Sequence, residues 1–165
     1  ERLDHPFIVK LKYAFHDAKK LFLVLNYCCG GELFFYIKAC KRFKEDVVAF
    51  YASNILLALR ELHSKSIIYR DLKPENVLID SKGYALLTDF GLSKDNIDEE
   101  KQASSLCGTA DYLAPELLVH KNRAYGKEVD WWSFGCIVYE MLTGQPPFMS
   151  ESNQATFEQI KNREP

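Results

Sequence analysis

The 165-residue sequence is 47% hydrophobic, 13% aromatic and 27% charged, with a formal net charge of −2. Such a composition supplies a folded domain with apolar material for a core and argues against intrinsic disorder. Acidic and basic residues are mixed along the chain rather than gathered into a basic stripe or a polybasic run, which argues against nucleic acid or an anionic membrane surface as partners.

The longest apolar stretch, around Trp131 to Tyr139, falls well short of the roughly 18–20 residues that cross a bilayer. No charged-then-apolar signal opens the chain, so a soluble protein of cytoplasmic, or also nuclear, location is the expectation. The five cysteines, Cys28, Cys29, Cys40, Cys107 and Cys136, form an odd set with no CxxC spacing. They read as reduced thiols rather than a disulfide framework or a zinc site.

Residues 7–15 and 21–27 are rich in β-branched and aromatic side chains and flank the polar run His16 to Lys20, which predicts strand, turn and strand. Two strands alone make a marginal sheet, and the expectation is that an edge of the structure lies before Glu1. After Gly30-Gly31 the pattern predicts a short helix near 32–39. A long helix near 44–64 follows, with Val48, Tyr51, Ile55, Leu59 and Leu62 on one face. From 67 to 92, short apolar pieces broken by Asp, Pro and Gly suit tight loops and very short strands. Residues 93–112 are polar and aperiodic. Residues 129–142 are apolar on nearly every face and predict a helix buried on all sides. Residues 153–164 predict an amphipathic helix ending at Pro165.

The chemistry lies in the loops. Asp71-Leu72-Lys73-Pro74-Glu75-Asn76 sets an acid and an amide oxygen on one loop with a lysine between them, and Asp89-Phe90-Gly91 follows. Phosphoryl transfer needs such a kit: a carboxylate beside the attacking hydroxyl, hard oxygen ligands for Mg²⁺, and a cation to spread the charge of the transferring group.

Tyr69-Arg70-Asp71-Leu72-Lys73-Pro74-Glu75-Asn76, Asp89-Phe90-Gly91 and Ala114-Pro115-Glu116 stand in the order and at the spacing of the catalytic loop, DFG and APE of protein kinases. On these motifs the chain resembles the protein kinase family over essentially its whole length. The runs IYRDLKPENVLID, DFGLSK, SLCGTADYLAPE and VDWWSFGCIVYEMLTGQPPF resemble the AGC group, relatives of cyclic-AMP-dependent protein kinase and the ribosomal S6 kinases. Lys73 and Thr109 resemble the serine/threonine-specific branch.

The resemblance implies an α+β, protein-kinase-like fold cut short. Residues 1–28 would be the last two strands of the small-lobe sheet and the hinge, and 29–165 an incomplete, mainly helical large lobe. It implies ATP and Mg²⁺ as cofactors and protein substrates with Ser or Thr acceptors. Asp71 would be the catalytic base, Lys73 would contact the γ-phosphate, and Asn76 and Asp89 would hold Mg²⁺. The nucleotide would meet Leu25, the backbone of Asn26 and Cys28, Glu32 and Leu78. Arg70 would receive a phosphate placed on Ser105 by an upstream activating kinase, with Ser104 as the competing acceptor. Glu32, Glu75 and Glu140 match positions that bind arginines upstream of the acceptor in basophilic relatives, and Thr109 also faces the substrate. Asp130 and Trp132 would be structural, and Leu11, Tyr69 and Phe90 would form a hydrophobic column.

One departure stands out: Gly108-Thr109-Ala110-Asp111-Tyr112 replaces the usual GTPEY. The arginine that pairs with Glu116 in the family is expected beyond Pro165. The 165 residues also contain no Gly-x-Gly-x-x-Gly loop, Val-Ala-x-Lys strand or glutamate-bearing helix, so the isolated chain is expected to be inactive. The alternative reading is a pseudokinase or docking module with the same fold; a small-molecule phosphotransferase with a kinase-like fold is a third.

Overall fold

The computed structural model describes residues 3–94, 108–119 and 125–162. Ser104, Ser105 and Cys107 lie outside the described residues. The first two strands, β1 (Leu11–His16) and β2 (Leu21–Leu25), form an antiparallel hairpin with Phe15 stacked on Phe22. Its turn follows from Asp17, whose Oδ1 accepts the N–H groups of Lys19 and Lys20, both at 2.7 Å, as short side-chain acceptors do in turns.

Both strands are shorter than the expected 7–15 and 21–27, for a reason that the alternation of residues does not carry. Phe7 and Val9 leave the hairpin direction and bond to Leu87 on a different sheet, with Leu87 N–H donating to the Phe7 carbonyl and Val9 N–H to the Leu87 carbonyl. Ile8 and Val9 are buried there, whereas every residue of β1 and β2 is exposed.

The second sheet is antiparallel with the order β3 (Gly31–Glu32), β4 (Val77–Ile79) and β5 (Ala85–Leu87). Gly30 lies against β4, where a Cβ would stand 2.7 Å from the Ile79 backbone oxygen, so only glycine permits this approach. Next come α1 (Leu33–Cys40) and α2 (Glu45–Ser64). The face of α2 expected from the sequence is the buried one, with Val48, Ile55, Ala58, Leu59 and Leu62 in the core. Asn54 joins that face because its amide oxygen accepts the Ala85 N–H, which ties the helix to β5.

The remaining helices are α3 (Pro115–Val119), α4 (Glu128–Thr143) and α5 (Asn153–Asn162). The expectation that α4 is buried all round is corrected here. Val129, Cys136, Ile137 and Met141 are buried against α2 and the 110–112 turn, but Trp131, Tyr139 and Leu142 are 37%, 42% and 38% exposed. That second face is only partly covered, with Trp131 edge-on to the His63 ring.

Two antiparallel sheets with segregated helices form an α+β arrangement. No helix among the described residues is long and apolar enough to cross a membrane. The four described cysteines are unpaired, and burial pushes the Cys136 thiol up to about 12, which leaves it an inert core group.

Helix α4 stops at Gly144, which takes φ 92° and donates its N–H to the Glu140 carbonyl at 2.7 Å. A Cβ there would run into the Lys41 carbonyl oxygen. Gly144→Ala is therefore expected to destabilise the fold by about 1–3 kcal/mol through left-handed strain alone, and by more if Lys41 is held in place. Urea unfolding would measure it, and an unchanged midpoint would refute the argument.

Candidate active site

The loop from Tyr69 to Asn76 is suspended between two supports. On one side Ile68 and Lys94 exchange backbone hydrogen bonds at 3.0 Å each way. On the other, Asp130, fully buried near the start of α4, accepts the Tyr69 N–H on Oδ2 at 2.9 Å and the Arg70 N–H on Oδ1 at 2.8 Å. His63, from the last turn of α2, approaches the same Oδ2 with its Nε2 at 2.7 Å. A buried carboxylate needs such partners, and these three fix the backbone before Asp71. Arg70 sits at φ 71°, a conformation costly for a side-chain-bearing residue, so the surrounding contacts must hold it. Trp131 packs edge-on against the His63 ring.

Asp71 is 8% exposed and receives three donors. Asn76 Nδ2 reaches its Oδ2 at 2.9 Å and its backbone carbonyl at 2.8 Å, Lys73 Nζ lies 2.9 Å from Oδ2, and the Thr109 hydroxyl donates to Oδ1 at 3.2 Å. Lys73 also bonds the Thr109 oxygen at 3.0 Å. The tight turn Pro74–Asn76 makes this possible, with Pro74 supplying the helical start and the Asn76 N–H closing on the Lys73 carbonyl. Asp71, Lys73, Asn76 and Thr109 thus form one cluster.

Asp89 follows β5 with φ 52°, and its Oδ1 accepts the Gly91 N–H at 3.1 Å. Phe90 meets Tyr69 edge-on, with ring centroids 5.5 Å apart, and the Tyr69 hydroxyl donates to the Thr88 carbonyl. Burial first, then the charges of Asp71, Asp89 and Asp130, push the Tyr69 phenol well above its ordinary value, so it stays protonated as a donor. Leu11, Leu23, Leu25, Thr88, Asp89 and Phe90 are among the residues lining one largely apolar cavity of about 680 Å³. Leu11 shares that cavity with Phe90 while remaining 44% exposed.

Cys28 and Leu78 belong to a small cluster with Val9 and Leu86, and Glu32 pairs with Leu78 across the β3–β4 ladder. Asn26 donates its N–H to the Lys10 carbonyl at 2.9 Å, and its own carbonyl accepts only the weak Cys28 thiol donor at 4.0 Å among the described residues, which leaves it room to meet a ligand. The Cys28 carbonyl accepts the Gly31 N–H, while the Cys28 N–H has no partner among the described residues.

Glu140 was expected at a substrate-facing surface, but its side chain is only 1% exposed. The Tyr112 hydroxyl donates to its Oε2 at 2.6 Å, and Lys38 Nζ stands 3.8 Å from Oε1. Burial raises the Glu140 carboxyl above its ordinary value, opposed by the Tyr112 bond and by Lys38. The same charge cluster pushes the Tyr112 phenol up, with burial as the larger cause. Glu75 is half-buried, and its Oε2 is buried with no hydrogen-bond partner among the described residues. Arg70 donates from Nε to the Leu92 carbonyl at 2.6 Å and from a terminal nitrogen to the Tyr125 hydroxyl at 3.1 Å.

Lys38, His63 and Tyr125 enter these contacts without having stood out in the sequence. His63 had a faint signal, a histidine one residue beyond the buried Leu62 of an amphipathic helix. Lys38 and Tyr125 had none, because their partners lie on distant elements.

As chemistry, the cluster offers a carboxylate fixed by a lysine, an amide and a hydroxyl. Within the neighbouring structure it also offers a second acid whose Oδ2 can ligate. Among the described residues no group of three or more His, Cys, Asp or Glu could hold a metal. A cation here would take the Asn76 amide oxygen and the Asp89 carboxylate and complete its shell with phosphate and water oxygens, the habit of Mg²⁺.

A family model described as protein kinase domain matches residues 1–164. The chain is 48% identical over 163 residues to the serine/threonine-protein kinase Sgk1 of Homo sapiens, covering 99% of this chain and 37% of that protein. It is 49% identical over 160 residues to Sgk2 of Homo sapiens, covering 97% and 43%. Identity is 47% over 161 residues to a RAC family serine/threonine-protein kinase homolog of Dictyostelium discoideum, covering 97% and 36%. The chain thus spans well under half the length of these curated relatives.

Proposed function

From the premise that the chain belongs to the protein kinase domain family, with AGC-group serine/threonine kinases among its relatives, we propose that the protein carrying it transfers the γ-phosphoryl group of ATP to Ser and Thr hydroxyls of protein substrates. The observation that carries this reading is the convergence of Lys73, Asn76 and Thr109 on the Asp71 carboxylate. Such a carboxylate, fixed in place before substrate arrives, orients an incoming hydroxyl and takes its proton as oxygen attacks phosphorus. Lys73, with its Nζ 2.9 Å from the Asp71 Oδ2, suits the charge of the transferring group. Asn76 and Asp89 would hold Mg²⁺, which supplies charge neutralisation across the phosphates when bound.

Leu25, the Asn26 carbonyl, the Cys28 N–H, Glu32 and Leu78 would receive the nucleoside. Arg70 would receive an activating phosphate from an upstream kinase, since a guanidinium binds phosphate through paired donors. Glu32 and Glu75, with the buried Glu140 reachable only once Lys38 moves off it, favour substrates with arginine upstream of the acceptor by charge complementarity. A cytoplasmic, or also nuclear, location goes with this role.

The test is radiolabelled transfer by the full-length protein with Mg²⁺-ATP to a Ser peptide carrying upstream arginine and to its Tyr counterpart, beside an Asp89→Ala control. Label on the Ser peptide alone, lost in the control, is the expected result. No transfer from the folded protein after treatment with an activating kinase would instead favour a docking module.

A further inference from the structure

Tyr112 is surrounded by three carboxylates, Glu140, Glu75 and Asp111, whose charges all act on its hydroxyl. Against them Lys38 is the basic side chain whose charge reaches both Glu140 and Asp111. It is placed loosely. Its Nζ lies 3.8 Å from Glu140 Oε1, too far for a hydrogen bond, and its side chain is 45% exposed. The ammonium also rests over the Phe34 ring, 5.2 Å from the centroid, a position that stabilises it without Glu140. By contrast, Glu140 is almost fully buried and its Oε2 is anchored by Tyr112. The adjoining Glu75 Oε2 is buried with no partner among the described residues. Glu140 is therefore held in place, while Lys38, at 3.8 Å and 45% exposed, is bound loosely enough to be displaced.

We propose that Lys38 is a resident counter-ion that competes with a substrate guanidinium for Glu140, and so sets how strongly the protein selects arginine upstream of its acceptor. This rests on the reading that these acids face the substrate. A guanidinium presents a planar fork that satisfies a carboxylate at two points, which one ammonium at 3.8 Å does not. An entering arginine gains that bond but must push Lys38 aside onto Phe34 and into solvent. Lys38 thereby holds the arginine preference below what the acids alone would produce.

The experiment uses the full-length, activated protein and a Ser peptide in which a single arginine is walked through the upstream positions, each compared with its alanine version. The reading is the ratio of the two kcat/KM values at the most responsive position. Lys38→Met should raise that ratio about two- to fivefold, the range of one partly exposed charge pair, through KM for the arginine peptide rather than kcat. Lys38→Arg, whose fork competes for Glu140 better than an ammonium does, should lower the ratio below wild type, and added salt should lower the ratio more steeply in Lys38→Met than in wild type. Lys38→Gln repeats the measurement should the methionine variant melt early. A wild-type preference that neither neutral variant increases would overturn the competition and leave the arginine reading standing. A wild-type ratio of one at every position would overturn the arginine reading and the competition with it.

Discussion

Replacing Asp71 by Asn in the full-length protein is expected to lower kcat for peptide phosphorylation about 10²–10⁴-fold, the contribution of a positioned general base. The geometry makes the amide a poor substitute. Asp71 accepts from Asn76 and Lys73 on Oδ2 and from Thr109 on Oδ1. An asparagine must turn its NH₂ toward one of these donors, which puts donor against donor and takes away the proton acceptor together. The loss should fall on kcat and spare KM for ATP, because in the proposed reaction Asp71 meets the acceptor hydroxyl and not the nucleotide. Steady-state kinetics, with circular dichroism to establish a retained fold, would measure it. Activity within tenfold of wild type would mean that another group takes the proton.

Asp130→Ala should have the largest effect on stability. Its carboxylate joins the Tyr69 and Arg70 amides to His63, all in buried surroundings. Alanine leaves two N–H groups and an imidazole without their acceptor, and removing one member of a buried charged network costs about 3–5 kcal/mol. The same change frees Arg70 from its left-handed backbone conformation, so the register of Asp71 is lost as well. Urea unfolding should show the stability loss, and kinetics a kcat that falls even at temperatures where the variant is folded. Asp130→Asn, which keeps an acceptor for one amide, should lie between alanine and wild type. A loss below about 1 kcal/mol on Asp130→Ala would place the anchoring of this loop elsewhere.

Much of the architecture is legible in the sequence, though unequally. The face of α2 was legible because Val48, Ile55, Leu59 and Leu62 repeat at helical spacing, and burial followed that spacing. The bounds of β1 and β2 were not, because Phe7 and Val9 have the same apolar character whether they extend a hairpin or bond to Leu87. The full burial expected for α4 failed for a related reason. Apolar residues on every side of a helix state what could be buried, whereas the elements present decide what is, and Trp131, Tyr139 and Leu142 remain exposed.

For the candidate site, the sequence by itself determined the chemical kit: Asp71, Lys73, Asn76 and Asp89 on short loops, with the family that their order and spacing identify. These residues lie close together in the chain, so local spacing carries the information. Only the tertiary structure decided how they are held and what else touches them. Asp130 and His63 fix the loop from two helices, Thr109 closes on Asp71 from another segment, and Lys38 stands beside a Glu140 that proved to be buried. Such contacts join side chains brought together by the packing of helices and loops, and a hydrogen bond or ion pair across that packing leaves no periodic trace in either segment.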